Sequence, residues 1–130
     1  MKILPSILIG SLFCGSIIAQ NNALVLNNGV FLVVNGGTNG DEAVVVVNQS
    51  HANGITTAGA AGGNIVTKGE FDYIKWNVGT STGAYNVPFT AEVGNVKIPL
   101  TVNLTSAGTG TGYLAMSTWD VSTGVGAFDN

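Results

Sequence analysis

The chain has 130 residues, four Lys, no Arg and seven acidic residues, with a formal net charge of -3. This length suits one domain. A chain with so few cations is a poor reader of phosphate backbones, which excludes nucleic acid as the natural partner. Only 8% of residues are charged, but Val, Ile and Leu are plentiful, so the composition is that of a folded chain rather than a disordered one.

The first segment, "MKILPSILIGSLFCGSIIAQ", has Lys2 at its start, an apolar run, and Ala19 at its end. A basic start, an apolar centre and a small terminal residue describe a secretory signal peptide. Cleavage is expected after Ala19, so residues 1–19 form the signal and the exported chain begins at Gln20. The apolar run is short for a membrane span, and no span is expected after cleavage. Phe13 before Cys14 argues against lipidation, which needs a small residue there. Cys14 is the single cysteine. Its loss leaves no thiol, disulfide or cysteine metal site, so burial alone must stabilise the exported part. The expected location is extracellular or at the cell surface.

Residues 20–68 read as an Asn- and Gly-rich segment of short strands. "ALVL", "VFLVV" and "AVVVV" are apolar runs cut by "NNG", "NGGTNGDE" and "NQSHANG". Runs without alternation suit strands covered on both faces. Two arrangements fit: a solenoid-like stack of short parallel rungs, or hairpins closed by the Asn-Gly turns. "TTAGAAGGN" is small and flexible and marks the approach to a boundary. No helical period with caps occurs after residue 20, and frequent Gly penalises any helix.

Residues 69–130 alternate instead. Asp72, Ile74, Trp76 and Val78 share one face of a strand, with Phe71, Tyr73 and Lys75 opposite. Tyr85, Val87 and Phe89 form the next face. "WNVGTSTGAYNVPF" therefore reads as a strand, a loop bounded by Gly79 and Gly83, and a returning strand, with both Gly at positive φ. Val96, Ile98, Leu100, Val102 and Leu104 predict one long strand with unbroken period two. Tyr113, Ala115, Ser117 and Trp119 close the set, with Leu114 and Met116 behind them. Pro88 and Pro99 belong at edges or bulges. The predicted class is all-β, its second part an antiparallel meander forming a sandwich.

Few residues suggest chemistry. Asn39, Asp41 and Glu42 offer oxygen ligands, but neighbouring carboxylates in a turn read better as a solvated loop than as a calcium site. His51 is the single histidine, and zinc cannot be held by one His without Cys. Glu70, Asp72, Glu92 and Asp120 have no spacing that favours glycoside hydrolysis. Glu70 and Asp72 are expected to keep a strand edge soluble. "SAGTGTG" precedes a strand-like "YLAMSTW", so it is a turn and not a phosphate loop. No cofactor and no catalytic residue is expected. The aromatics concentrate in the second half. Trp76, Trp119 and Tyr85 are candidates for stacking on sugar rings, against the alternative that they fill the core.

The run from Lys75 to Asp120, "KWNVGTSTGAYNVPFTAEVGNVKIPLTVNLTSAGTGTGYLAMSTWD", resembles a recurrent β-rich module of large secreted proteins of Bacteroidota. Such modules have a Trp-Asn/Pro-Val/Ile-Gly-Thr run, a Tyr-x-Val/Ile-Pro-Phe strand, a strand like "VKIPLTVNLT" and an "AGTGTG" turn. The resemblance implies a surface or released protein, often exported by the type IX system, and a chain that is the N-terminal fragment of a longer one. It implies no catalytic residue. The function expected is that of a non-catalytic, adhesin-like or structural module, binding an extracellular glycan or protein. The alternative is a carbohydrate-binding module appended to an enzyme.

Overall fold

A computed structural model describes residues 23–118; the expected signal peptide, Trp119 and Asp120 lie outside the described residues. The described part is all-β, without a closed barrel. Nine strands follow one another: β1 (Leu24–Asn27), β2 (Val30–Val34), β3 (Ala43–Val47), β4 (Ile55–Ala58), β5 (Gly63–Thr67), β6 (Asp72–Asn77), β7 (Gly83–Val87), β8 (Leu100–Leu104) and β9 (Tyr113–Met116).

The first six strands pair as β1 with β4, β2 with β5 and β3 with β6, all parallel. Leu24 lies opposite Ile55, Leu32 opposite Ile65, and Val47 opposite Trp76. The chain thus makes a three-strand turn and lays a second turn upon it. Each turn, not each apolar run, is one layer. The Asn-Gly turn shows how this happens. Asn28 and Gly29 both have positive φ, 53° and 75°, which would serve a hairpin. Their N–H groups donate instead to Ala58 and Gly62 of the next layer. Asn28-Gly29 is therefore a corner, and β1 and β2 do not pair with each other. The β3–β6 ladder crosses the boundary drawn at residue 68, so the two halves of the chain share a sheet.

The segments from β7 to β9 cover the second layer. Beyond β7, Ile65 donates its N–H to Pro88 and accepts from Thr90, with Phe89 bridged parallel to Ile65. On the other side, β9 adds antiparallel to β6, giving a mixed sheet in the order β3-β6-β9. β7 pairs antiparallel with β8. The strand-loop-strand of residues 76–89 is present, with Gly79 at φ 56° and Gly83 at φ 148°, but β6 and β7 are not ladder partners. The expected meander is corrected here: β6 already has β3 on one edge and β9 on the other, so β7 can meet it only through side chains.

Those side chains are the core. Val47, Ile65, Ile74, Trp76, Val78, Tyr85, Val87, Phe89 and Met116 are buried. Each large apolar side chain buried in this way contributes about 1.5–3 kcal/mol. The long strand expected from Val96 to Leu104 is shortened to five residues. Ala91 donates to Val96, Thr90 bridges Lys97, and Asn95 has φ 53°. The chain therefore bends back on itself before Pro99. Val96 and Ile98 stay exposed.

Candidate functional site

The outer face of the mixed sheet carries the cleft with the most suitable chemistry. Along β6, Asp72, Ile74 and Trp76 are buried, while Tyr73, Lys75 and Asn77 are half-exposed. Period two dictates this alternation. Register then selects their neighbours. Asn77 lies opposite Tyr113 of β9, and Lys75 opposite Ala115. Across the other edge Val47 lies opposite Trp76, so Asn48, the next residue, comes beside Asn77. The Asn77 amide donates to the Asn48 side-chain oxygen at 3.2 Å. Gln49, Ser50, Gly79, Thr111 and Gly112 complete an open cleft of about 640 Å³.

Tyr113 is the exposed aromatic of this cleft, with 57% of its surface accessible. The Lys75 ammonium sits 4.5 Å from its ring centroid. A cation over a tyrosine face at an exposed site contributes about 0.5–1 kcal/mol, enough to bias both side chains toward this geometry. The cleft therefore offers a flat ring, a cation, and amide and hydroxyl groups that can donate and accept.

The residues that sequence reasoning selects for sugar stacking are placed otherwise. Trp76 and Tyr85 are both 0% exposed. The Trp76 indole N–H donates to the Gln49 carbonyl at 2.7 Å, and the Tyr85 hydroxyl donates to the Ser50 carbonyl at 2.8 Å. Neither ring has a face for a ligand, so both are corrected to core residues. Burial pushes the Tyr85 hydroxyl above the usual tyrosine value. Trp119 lies outside the described residues. Together Trp76 and Tyr85 still matter to the cleft, because their polar tips hold the backbone of Gln49 and Ser50, two residues that line it.

Sequence reasoning does not choose Tyr113 for stacking, and it places the parity of the last strand one residue out. Met116 is buried and Leu114 partly buried, whereas Tyr113 faces solvent. A slip of one residue exchanges the two faces of a strand. The signal that could have found Tyr113 is the Leu114/Met116 pair, which is the more apolar of the two sets.

The remaining candidates fill structural positions. Asp72 is 2% exposed, which corrects its expected role at a soluble edge. Its carboxylate accepts the Gly37 N–H at 2.7 Å, tying the β2–β3 connection to the start of β6. Glu92 pairs with Lys68 at 2.6 Å. Thr38 and Asp41 exchange two backbone bonds across Asn39 and Gly40, a tight turn with Gly40 at φ 87°. His51 is exposed in a turn closed by the Gly54 N–H on its carbonyl. Among the described residues no three His, Cys, Asp or Glu side chains gather as a metal site, and no helix is long and apolar enough to cross a membrane.

No protein-family model, curated protein or solved structure matches this chain.

Proposed function

We propose that this chain is a non-catalytic, adhesin-like β-rich module of an exported bacterial surface protein, holding an extracellular ligand in the Tyr113–Lys75 cleft. The observation that carries the reading is the exposed Tyr113 ring, set over an open cleft lined by amide and hydroxyl side chains, on a sheet whose opposite face is the core. An exposed aromatic ring beside hydrogen-bonding side chains in a concave site has the chemistry that ligand recognition uses. The leader-like first twenty residues and the resemblance of Lys75 to Asp120 to secreted modules of Bacteroidota support the export half of the proposal. Antibody labelling of intact cells that express the tagged chain tests it. Surface signal that disappears when residues 1–19 are deleted is expected; signal seen only after lysis overturns it.

The second reading, a carbohydrate-binding module, is favoured by one feature. Asn48 and Asn77 form an amide pair beside Tyr113, the combination that recognises a sugar by stacking on its ring and bonding its hydroxyls. A glycan array probed with the folded protein and with Tyr113→Ala tests this. Binding lost in the variant supports a glycan ligand. Binding to no glycan removes it and leaves a protein ligand for the same cleft.

A further inference from the structure

Resting on the carbohydrate reading of the Tyr113 cleft, we infer that its ligand is an acidic saccharide, a sugar whose ring lies against Tyr113 and whose carboxylate meets Lys75.

Cations are scarce in this molecule, and each has a distinct setting. The described residues contain Lys68, Lys75 and Lys97. Lys68 is ion-paired with Glu92 at 2.6 Å. Lys97 is turned inward, donating to the Gly63 carbonyl at 2.8 Å and to the Asn64 side-chain oxygen. Lys75 differs from both: among the described residues it has neither an ion pair nor a hydrogen-bonded acceptor, and its ammonium rests on the Tyr113 ring. Among the described residues this is the cation that remains to attract an anion.

The walls agree. Asn48, Gln49, Ser50, Asn77, Thr111 and Tyr113 supply hydroxyls and amides, and among the described residues no acidic one lines the cleft. An anion entering there meets one positive charge and several neutral donors, and no fixed negative charge repels it from the wall. The cleft also discriminates between anions. A phosphate is held best by several cations, by Arg forks or by successive backbone N–H groups, whereas this cleft brings one lysine ammonium to its ligand. A carboxylate needs less, and the ring beside the ammonium demands a ligand with a flat, C–H-rich face. A pyranose carrying its carboxylate at the ring edge satisfies both demands at once. The Lys75 stem is long enough to swing from the tyrosine face to the rim of a stacked sugar.

The test is calorimetry of the full chain with a panel of uronate oligosaccharides, their methyl esters, and neutral oligosaccharides of the same linkages. Esterification removes the charge and keeps the ring. The expected result is binding to at least one uronate that weakens about tenfold or more on esterification, and equally in Lys75→Met, whose stem still packs on Tyr113. Tyr113→Ala should remove binding to the acid and to the ester alike. Circular dichroism and thermal melts of both variants check that they fold; both positions are on the outer face, so the melts should show only the small shift that loss of the Lys75–Tyr113 contact brings. If the ester or the neutral sugars bind as well as the acid, and Lys75→Met changes nothing, the acidic specificity is overturned while the carbohydrate reading stands. If no saccharide binds, both fall. If free inorganic phosphate competes as strongly as the uronate, the ring has no part in recognition and the inference is wrong.

Discussion

The rings of Trp76 and Tyr85 meet edge to face, with centroids 5.1 Å apart and planes at 86°. They come from strands that share no ladder, so this contact joins the β3-β6-β9 sheet to the β7-β8 pair. Their polar tips donate to Gln49 and Ser50, adjacent carbonyls of the β3–β4 connection. One aromatic pair thus ties three parts of the chain together. Edge-to-face pairs contribute about 0.5–1.5 kcal/mol beyond their burial. A double-mutant cycle with Trp76→Leu and Tyr85→Leu, followed by urea unfolding, should return a coupling energy in that range. Each single variant should lose about 3 kcal/mol or more, the usual cost of cutting down a large buried ring. Additive losses would show that the two rings are stabilised independently.

The Tyr85 hydroxyl also sets a pH dependence. Burial raises its pKa above the usual value of about 10. The neutral phenol is the form the fold favours. Its contribution is fully present below the unfolded-state pKa and declines as pH rises from there toward the folded-state pKa, because the unfolded chain ionises first. Tyr85→Phe loses the bond to the Ser50 carbonyl, about 1 kcal/mol at pH 7, but it cannot ionise. The gap between parent and variant should therefore narrow as pH rises through about 10 and above in urea titrations. A constant gap across that range would mean that Tyr85 titrates alike in both states.

Asp72 is a structural acceptor, and its variants should say so. Its Oδ1 takes the Gly37 N–H, and the Gly37 position is too tight for a side chain. A Cβ there would collide with the Phe71 carbonyl and would lie 2.7 Å from both Ala43 N and Asp72 Oδ1. Asp72→Asn keeps an oxygen for the N–H and should cost less than Asp72→Ala, which orphans a partly buried donor at about 1–3 kcal/mol. Gly37→Ala should destabilise by at least as much as Asp72→Ala. Thermal melts of the three variants give the order directly. Equal melting points for Asn and Ala at residue 72 would show that this hydrogen bond contributes nothing.

Layer stacking depends on a second glycine. A Cβ on Gly63 would overlap the Cβ of Leu26, which joins the two turns where β1 runs past β5. Gly63→Val should therefore separate the layers, with loss of cooperative unfolding or a large fall in melting temperature. Gly110→Val, where nothing lies within 4 Å of a new Cβ, should leave the stability within about 0.5 kcal/mol of the parent. Similar effects at the two sites would argue against the observed parallel register.

How much of this is legible in the sequence depends on the range of each interaction. The inward parity of Ile74, Trp76 and Val78, and of Tyr85, Val87 and Phe89, follows from period two alone, and the structure buries all six. The Gly79–Gly83 loop is equally local. Pairing is not local. Asn28-Gly29 satisfies the conformational rule for a hairpin, and only the competing carbonyl partners on Ala58 and Gly62 make it a corner. Alternation alone overextends β8, because it continues through Val96 and Ile98, whereas Gly94, at φ 77°, and Asn95 turn the backbone there. The cleft is hidden for the same reason. Period two puts Lys75 on the outer side, but Asn48 and Tyr113 reach it only through two ladders of opposite sense.

The parity of β9 decides whether the cleft exists, and it can be tested without any ligand. Met116 lies opposite Ile74 and is 4% exposed; Tyr113 lies opposite Asn77 and is 57% exposed. Met116→Asp would bury an unpaired carboxylate against Ile74 and should destabilise by several kcal/mol, or prevent folding. Tyr113→Asp alters only the outer face. It loses the Lys75 contact with the ring and gains a charge beside that ammonium, so its stability should stay within about 0.5–1 kcal/mol of the parent. Soluble expression and urea midpoints distinguish the two. If Tyr113→Asp unfolds the protein and Met116→Asp does not, the strand is turned over. Tyr113 then belongs to the core, and no aromatic is left at the cleft.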